Sequence, residues 1–300
     1  MLFPTLYTAG SILWYSTRGL FISSSQYTEG DTNVFKFLNG NKKALILLHG
    51  LSGTGDSGYI KYAHAKLKGH YDIYAPEYGT SEKHLYPTYL PVADDPVFAR
   101  DVITLYRKLI KEYDQVSFIA FSAGGGAMMQ ILNLLKIEDV QKLESAFFVS
   151  PALKLKEGFE YLETVWFPVR LFMKYDYFGK FFTWIAKKDG YLAATKFLLK
   201  CRTFDDVFKY FSKDGVYPVI LNTGIGELDA KFVLLHPDDD PIVEAKMTLA
   251  FVKGQDITRI KQLTGGHIGF SAMDRCIRFY TDDEIIPDNE ISNIEELNKK

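Results

Sequence analysis

The sequence predicts a mainly parallel α/β sheet covered by helices on both faces, with a helical segment inserted late in the chain. Three observations carry this reading. Between residues 43 and 151, short apolar runs alternate with longer stretches of helical spacing, the pattern of strand–helix–strand units. From about 152 to 226 the alternation stops and an aromatic-rich stretch, "YLETVWFPVRLFMKYDYFGKFFTWIAKKDGYLAATKFLL", takes its place. Strand signals then return at "AKFVLLHP" (230–237) and "DITRIKQL" (256–263).

"KALILLHG" (43–50) is too short for a helix and ends in glycine, so it reads as a buried strand. The Gly/Ser loop "LSGTGDSG" follows, then "YIKYAHAKLKG", which has helical spacing and a terminal glycine. "YDIYAPEYG" (71–79) is the next strand, opening into a loop that holds Pro87 and Pro91. In "DDPVFARDVITLYRKLIKEY" (94–113), Val97, Val102, Leu105, Leu109 and Ile110 lie close to a helical stripe, with Pro96 near its start. A strand over 115–120, a serine turn, a helix over 123–136 and the strand "LESAFFVSP" (143–151) complete the alternating half. The aromatic stretch reads as a helical cap with its own small core, and its sharper reading has part of the aromatic surface lining an acyl pocket or touching lipid.

Composition narrows the function classes. The 300 residues are 47% hydrophobic and 24% charged, which describes a folded globular chain. A formal net charge of -2 and the absence of a long basic stripe leave no electrostatic footprint for nucleic acid. Cys201 and Cys276 lie far apart and form neither a metal-ligand spacing nor a disulfide framework, as suits a reducing, cytoplasmic compartment. The first two dozen residues, "MLFPTLYTAGSILWYSTRGLFISS", are apolar and aromatic but lack the early positive charge and cleavage site of a signal peptide. They read either as an arm packed on the domain or as an interfacial segment in peripheral contact with a membrane.

The chemistry-bearing stretch is "FIAFSAGGGAMMQ". A serine hydroxyl is a poor nucleophile unless a base removes its proton, and the base needs a third group to orient it. "AFSAG" sets Ser122 between Ala120 and Gly124, a variant of the G-x-S-x-G nucleophile elbow, whose tight strand-to-helix turn requires small neighbours. Upstream, "LLHGLSG" offers a backbone amide directed at the serine, so the amides of Ala123 and Leu51 are the candidate oxyanion hole. Downstream, "LLHPDDDPIV" ends a strand in three aspartates and "LTGGHIGF" follows the next strand. His267, between glycines and a small apolar turn, is the candidate base. Asp240, three residues before Val243, is the candidate acid, with Asp239 as the alternative; the unused aspartates cap the next helix or bind loop amides. His49, beside the oxyanion loop, and His236, before the acid loop, read as structural or solvated, as do His64, His70 and His84.

With these residues in place the chain resembles an α/β hydrolase, and within that superfamily the YheT-like branch that includes fungal medium-chain ethanol acyltransferase/esterases and the membrane-associated ABHD lipases. The matching stretches are "LHGLSGTGDSGYI" (48–60), "FARDVITLYRKL", "FSAGGG", "RTFDD" (202–206), "DDPIV" (239–243) and "GGHIGF" (265–270). The elbow departs from the pattern in having alanine before Phe121 and glycine at 126 where asparagine is common.

The resemblance implies an α/β-hydrolase fold with the cap inserted after the sixth strand, and a serine esterase or lipase acting on medium-chain or lipid-like acyl esters without metal or organic cofactor. The order Ser, Asp, His is the chain order of that fold's triad. Acyl transfer to an alcohol uses the same residues, and a non-catalytic binding protein on a hydrolase fold is the reading of another class. The expected organisation is an apolar arm over 1–30, a core over 31–151 and 227–281, the cap over 152–226 and an acidic tail over 282–300.

Overall fold

The computed structural model describes residues 25–29, 32–50, 53–77, 97–135, 142–165, 190–211, 230–252, 257–281 and 291–292, with parts of 170–189. Residues 1–24 of the apolar arm, the proline-containing loop with His84, and most of the acidic tail lie outside the described residues.

Short strands and longer helices alternate as the sequence predicts. The strands are β1 (Ser25–Glu29), β2 (Thr32–Phe37), β3 (Lys43–Leu48), β4 (Asp72–Pro76), β5 (Gln115–Phe121), β6 (Leu143–Val149), β7 (Lys231–Pro237), β8 (Thr258–Gln262) and β9 (Ile291–Ser292). The helices are α1 (Gly58–Leu67), α2 (Val97–Glu112), α3 (Ala123–Leu134), α4 (Leu155–Thr164), α5 (Tyr191–Lys200), α6 (Phe204–Phe211), α7 (Ala245–Phe251) and α8 (Phe270–Thr281). Among the described residues the strands form one nine-stranded sheet in the order β1-β2-β4-β3-β5-β6-β7-β8-β9. The six from β4 to β8 run parallel, and β1, β2 and β9 close the edges antiparallel.

Both faces of the parallel strands are covered, which is why "ALILL" and "VSFIAF" read as continuous apolar runs. On one face Ile46, Leu48, Phe118, Ala120, Phe148 and Leu234 meet α2 and α3. On the other, Leu45, Leu47, Ile119, Phe147 and Val149 meet α1 and α8. The stripe of α2 buries Phe98, Val102, Leu105, Tyr106 and Leu109, at the three- and four-residue spacing that keeps one helical face inward.

The segment between β6 and β7 is helical, and α4, α5 and α6 form its described part. Its buried residues, including Phe159, Ile185, Phe197 and Phe204, are continuous with the α2/α3 core layer, where the sequence suggested a separate small core. Among the described residues, Phe159 and Leu162 of α4 and Phe204 and Val207 of α6 belong to the same buried cluster as the helices over the sheet. Phe159 and Phe178 stack on Phe204 with ring centroids 5.9 and 6.0 Å away. "RTFDD" starts α6 as a capping box: Asp206 N–H donates to Thr203 Oγ1, and Asp206 Oδ2 accepts from the amides of Arg202 and Thr203.

Neighbouring strands end level with one another. Leu48 pairs with Ala120, Phe121 with Val149, Val149 with Leu235, and Pro237 with Gln262. The loops that carry Gly50, Ser122, Asp240 and His267 therefore leave one edge of the sheet, the carboxyl edge where ligands bind in folds of this type.

Candidate active site

Ser122 is the junction residue between β5 and α3, with φ 52° and ψ -119°. A side chain rarely adopts positive φ, at a cost of about 1–3 kcal/mol that surrounding structure must offset. Here the offset is visible: Ser122 N–H donates to Val149 C=O, and Ser122 C=O accepts from Gly125 and Ala152. The turn is tied to the end of β6 as well as to its own helix.

The small residues around it are close-approach positions. A Cβ on Gly124 would lie 2.4 Å from the Leu48 carbonyl oxygen, and one on Gly125 would lie 2.4 Å from Pro151 Cβ. One on Gly50 would meet Ser122 Cβ at 3.3 Å, so the loop after β3 packs directly against the serine. Ala123 opens α3 as its first residue and is buried beside the turn. Leu51, the other candidate oxyanion donor, lies outside the described residues. The preceding Gly50 is fixed by its N–H donating to Tyr59 Oη at 2.8 Å. His49 places Nδ1 2.8 Å from Gly50 C=O; burial pulls its pKa down to about 4 although that hydrogen bond opposes the shift.

The three aspartates after β7 divide their partners. Asp238 pairs with Arg259 of β8 at 2.9 Å. Asp239 Oδ1 accepts the Gly266 amide at 2.9 Å, bracing the histidine loop. Asp240, rather than Asp239, meets the imidazole: Asp240 Oδ2 is 2.8 Å from His267 Nδ1. Its other oxygen accepts the amides of Ile242 and Val243 at 2.8 and 3.0 Å. Burial alone would raise the Asp240 pKa, but the opposing His267 charge and hydrogen bonds from His236 and His267 hold it well below the usual carboxylate range. Asp240 is an ionised, fully buried anchor for an imidazole.

His267 sits in a loop built from unusual backbone, with Gly266 at φ 61° and Ile268 at φ 51°. A Cβ on Gly265 would come within 2.4 Å of Gln262 Nε2, the amide that ties Thr264 C=O to Ser271 Oγ. The sequence motif "GGHIGF" is thus required by geometry: its first glycine leaves space for a bracing side chain, and its second turns the chain.

The structure brings Asp240 and His267 into contact and sets Ser122 on the same edge, three strands away along the sheet from His267. Two polar residues of that edge lay outside the functional reading of the sequence, His236 having read as structural or solvated and Glu77 not having been singled out. His236 contacts Asp240 from β7, at an i, i+4 spacing across the turn that would have flagged it. Glu77 directly follows the buried strand "DIYAP", and burial raises its pKa to about 7 although the Gly55 amide donates to it. Among the described residues, no cluster of three or more His, Cys, Asp or Glu could hold a metal, and no helix is long and apolar enough to cross a membrane.

A parallel sheet with a strained serine at the end of β5, an aspartate after β7, a histidine after β8 and a helical insertion after β6 is the α/β-hydrolase fold. Solved structures of that fold superpose over nearly the whole chain. An esterase from Pyrococcus furiosus matches with a TM-score of 0.53 at 15% identity, covering 86% of this chain and 89% of that one. A serine hydrolase from Cycloclasticus zankles gives 0.53 at 16%, over 86% and 95%. Mouse alpha/beta hydrolase domain-containing protein 10 gives 0.52 at 13%, over 87% and 98%. No protein-family model matches the chain, and no curated protein sequence does.

Proposed function

We propose that the protein is a serine hydrolase of carboxylic esters, working through Ser122, His267 and Asp240. The observation that carries this reading is the Asp240–His267 contact of 2.8 Å on the edge that also presents the strained Ser122. His267 Nδ1 is engaged by the carboxylate, so Nε2 is the nitrogen assigned to the substrate-side proton. Ser122 Oγ attacks the ester carbonyl carbon while His267 Nε2 takes its proton, and Asp240 stabilises the imidazolium. The amide of Ala123, with that of Leu51, stabilises the tetrahedral oxyanion. Its collapse expels the alcohol, which leaves with the proton from His267. Water, deprotonated by the same nitrogen, then cleaves the acyl-enzyme to release the acid and free Ser122.

The substrate class is medium-chain or lipid-like acyl esters, in line with the resemblance to the YheT-like branch and with the apolar cap beside the carboxyl edge. Six large apolar residues from Leu171 to Leu199 are exposed, and eight Lys or Arg stand against two Asp between residues 165 and 202. That combination supports peripheral contact between the cap and an anionic lipid surface.

The decisive experiment is labelling with a fluorophosphonate probe followed by hydrolysis of a chain-length series of p-nitrophenyl esters. Wild-type protein is expected to label at Ser122, and Ser122→Ala to lose about 10⁴-fold or more of its turnover. Full activity in that variant would refute the assignment. Ester formation measured against acid release with an alcohol present separates acyl transfer from hydrolysis on the same triad.

A further inference from the structure

The carboxylate that meets His267 also meets a second histidine, and that contact has a defined direction. His236, next to last in β7, is fully buried, with Nε2 3.0 Å from Val243 C=O and 3.3 Å from Asp240 Oδ2. A backbone carbonyl only accepts, so the hydrogen of this imidazole is on Nε2, bonded to that carbonyl with Asp240 Oδ2 beside it at 3.3 Å. Nδ1 is then the lone-pair nitrogen, and among the described residues it is buried without a hydrogen-bond partner.

A side chain present only to fill space would be apolar here, because leaving a buried polar atom unpartnered costs its lost hydration. The Nε2–H contact is the compensation on the same ring. It joins the one oxygen of Asp240 that also holds His267, while the other oxygen is occupied by two amides. The carboxylate therefore has four polar neighbours, two of them imidazoles, one from the end of β7 and one from the loop after β8.

We propose that His236 is a positioning residue for the candidate acid: its Nε2–H fixes Asp240 Oδ2 against His267 and shares that oxygen's negative charge. The proposal rests on the serine-hydrolase reading, in which Asp240 orients His267. Without His236, Oδ1 is pinned by the Ile242 and Val243 amides while Oδ2 has only His267, so the carboxylate plane can rock together with that imidazole. The second imidazole removes that freedom and keeps His267 from receiving the full charge of the anion.

The remaining charged and titratable groups near the loop have other engagements. Asp238 is paired with Arg259, and Asp239 accepts the Gly266 amide. From the cap, Tyr161 faces Asp240 and Glu244, and burial followed by these two charges pushes its phenol pKa up. Glu244 is paired with Lys246.

The test has one arm on the unaltered protein and one on variants. In ¹⁵N-imidazole NMR of wild-type protein, His236 is expected as the Nε2–H form with a slowly exchanging proton; a hydrogen on Nδ1 overturns the proposal. In ester hydrolysis, His236→Leu is expected to lower kcat about 10- to 100-fold with little change in KM, the usual range for losing one hydrogen bond to a charged group. Its acidic limb in the pH–rate profile should move to higher pH, because His267 then faces an unshared carboxylate. His236→Gln, whose amide nitrogen can reach the Nε2 position, is expected to restore most of kcat and the original limb. Equal rates and profiles in Leu, Gln and wild-type protein would overturn the proposal, as would equal loss in both variants. If Ser122 fails to label while NMR finds the Nε2–H form, the hydrolase reading fails and the geometry of His236 stands. The NMR arm still decides if His236→Leu does not fold.

Discussion

Along the carboxyl edge of the sheet, Asp238, Asp239 and Asp240 each answer a different donor, whereas in the cap Tyr191, Leu192 and Leu199 are more than 70% exposed. The two regions are neighbours joined by one apolar layer, yet they handle free energy differently. The edge holds polar groups and strained backbone in place by hydrogen bonds from several strands. The cap is held to the core by rings and aliphatic side chains and turns further apolar surface outward. Charge placed at the edge acts at a fixed position in a low-dielectric setting, which suits it to orient a reacting group in the proposed reaction. Apolar surface on the cap is non-directional and suits a partner without fixed geometry, such as an acyl chain or a lipid surface.

Breaking the edge at its centre gives the largest expected effect. Asp240→Asn removes the charge that holds His267, and turnover of a p-nitrophenyl ester should fall about 10⁴-fold. A comparable loss of folding, read by circular dichroism, would instead make Asp240 a structural residue. The strongest expected effect in the cap is on stability. Phe204 is almost fully buried between Phe159 and Phe178, so Phe204→Ala should cost about 3–5 kcal/mol in denaturant unfolding. Fluorophosphonate labelling of Ser122 should persist below the lowered transition if the edge stands on the sheet rather than on the cap.

Glu77 sharpens the comparison through pH. Its folded pKa is raised to about 7 from 4.5, so the folded state binds the proton more tightly than the unfolded one. The stabilisation from that proton is complete below about pH 4.5 and is lost as pH rises through about 7. Glu77→Gln keeps an acceptor for Gly55 and removes the charge. It should stabilise the fold at pH 8, by at most about 3 kcal/mol before solvent screening and with a higher melting temperature, and leave stability unchanged at pH 4.5. An equal shift at both pH values would show that ionisation of Glu77 is not the cause. The smallest effect belongs to the cap: Thr203→Ala deletes one half of the α6 capping box and should cost about 1 kcal/mol in thermal unfolding.

How far the site could be read from residues alone follows the same division. The parallel strands were legible because burial on both faces leaves apolar runs of strand length, and Gly124, Gly125 and Gly265 mark positions where a Cβ would collide. The β1–β2 pair was not, since an edge hairpin such as "TNVFKF" is half-exposed and carries a weak twofold pattern. The choice of Asp240 over Asp239 had only a spacing to support it. It is the turn after β7, with Asp240 N–H on Pro237 C=O, that points one carboxylate at the imidazole and the other at Gly266.

By itself, then, the sequence determined the alternation of elements, the strained serine junction and the order Ser122, Asp240, His267, because each is written in local volume, periodicity or chain order. Only the tertiary structure decided which oxygen meets which nitrogen. That His236 shares Asp240 with His267, that Glu77 is buried beside the Gly55 amide, and that the cap's core joins the α2/α3 layer all depend on how residues distant in the chain are packed. Hydrogen-bond direction and desolvation are properties of that packing, and no single stretch of residues contains them.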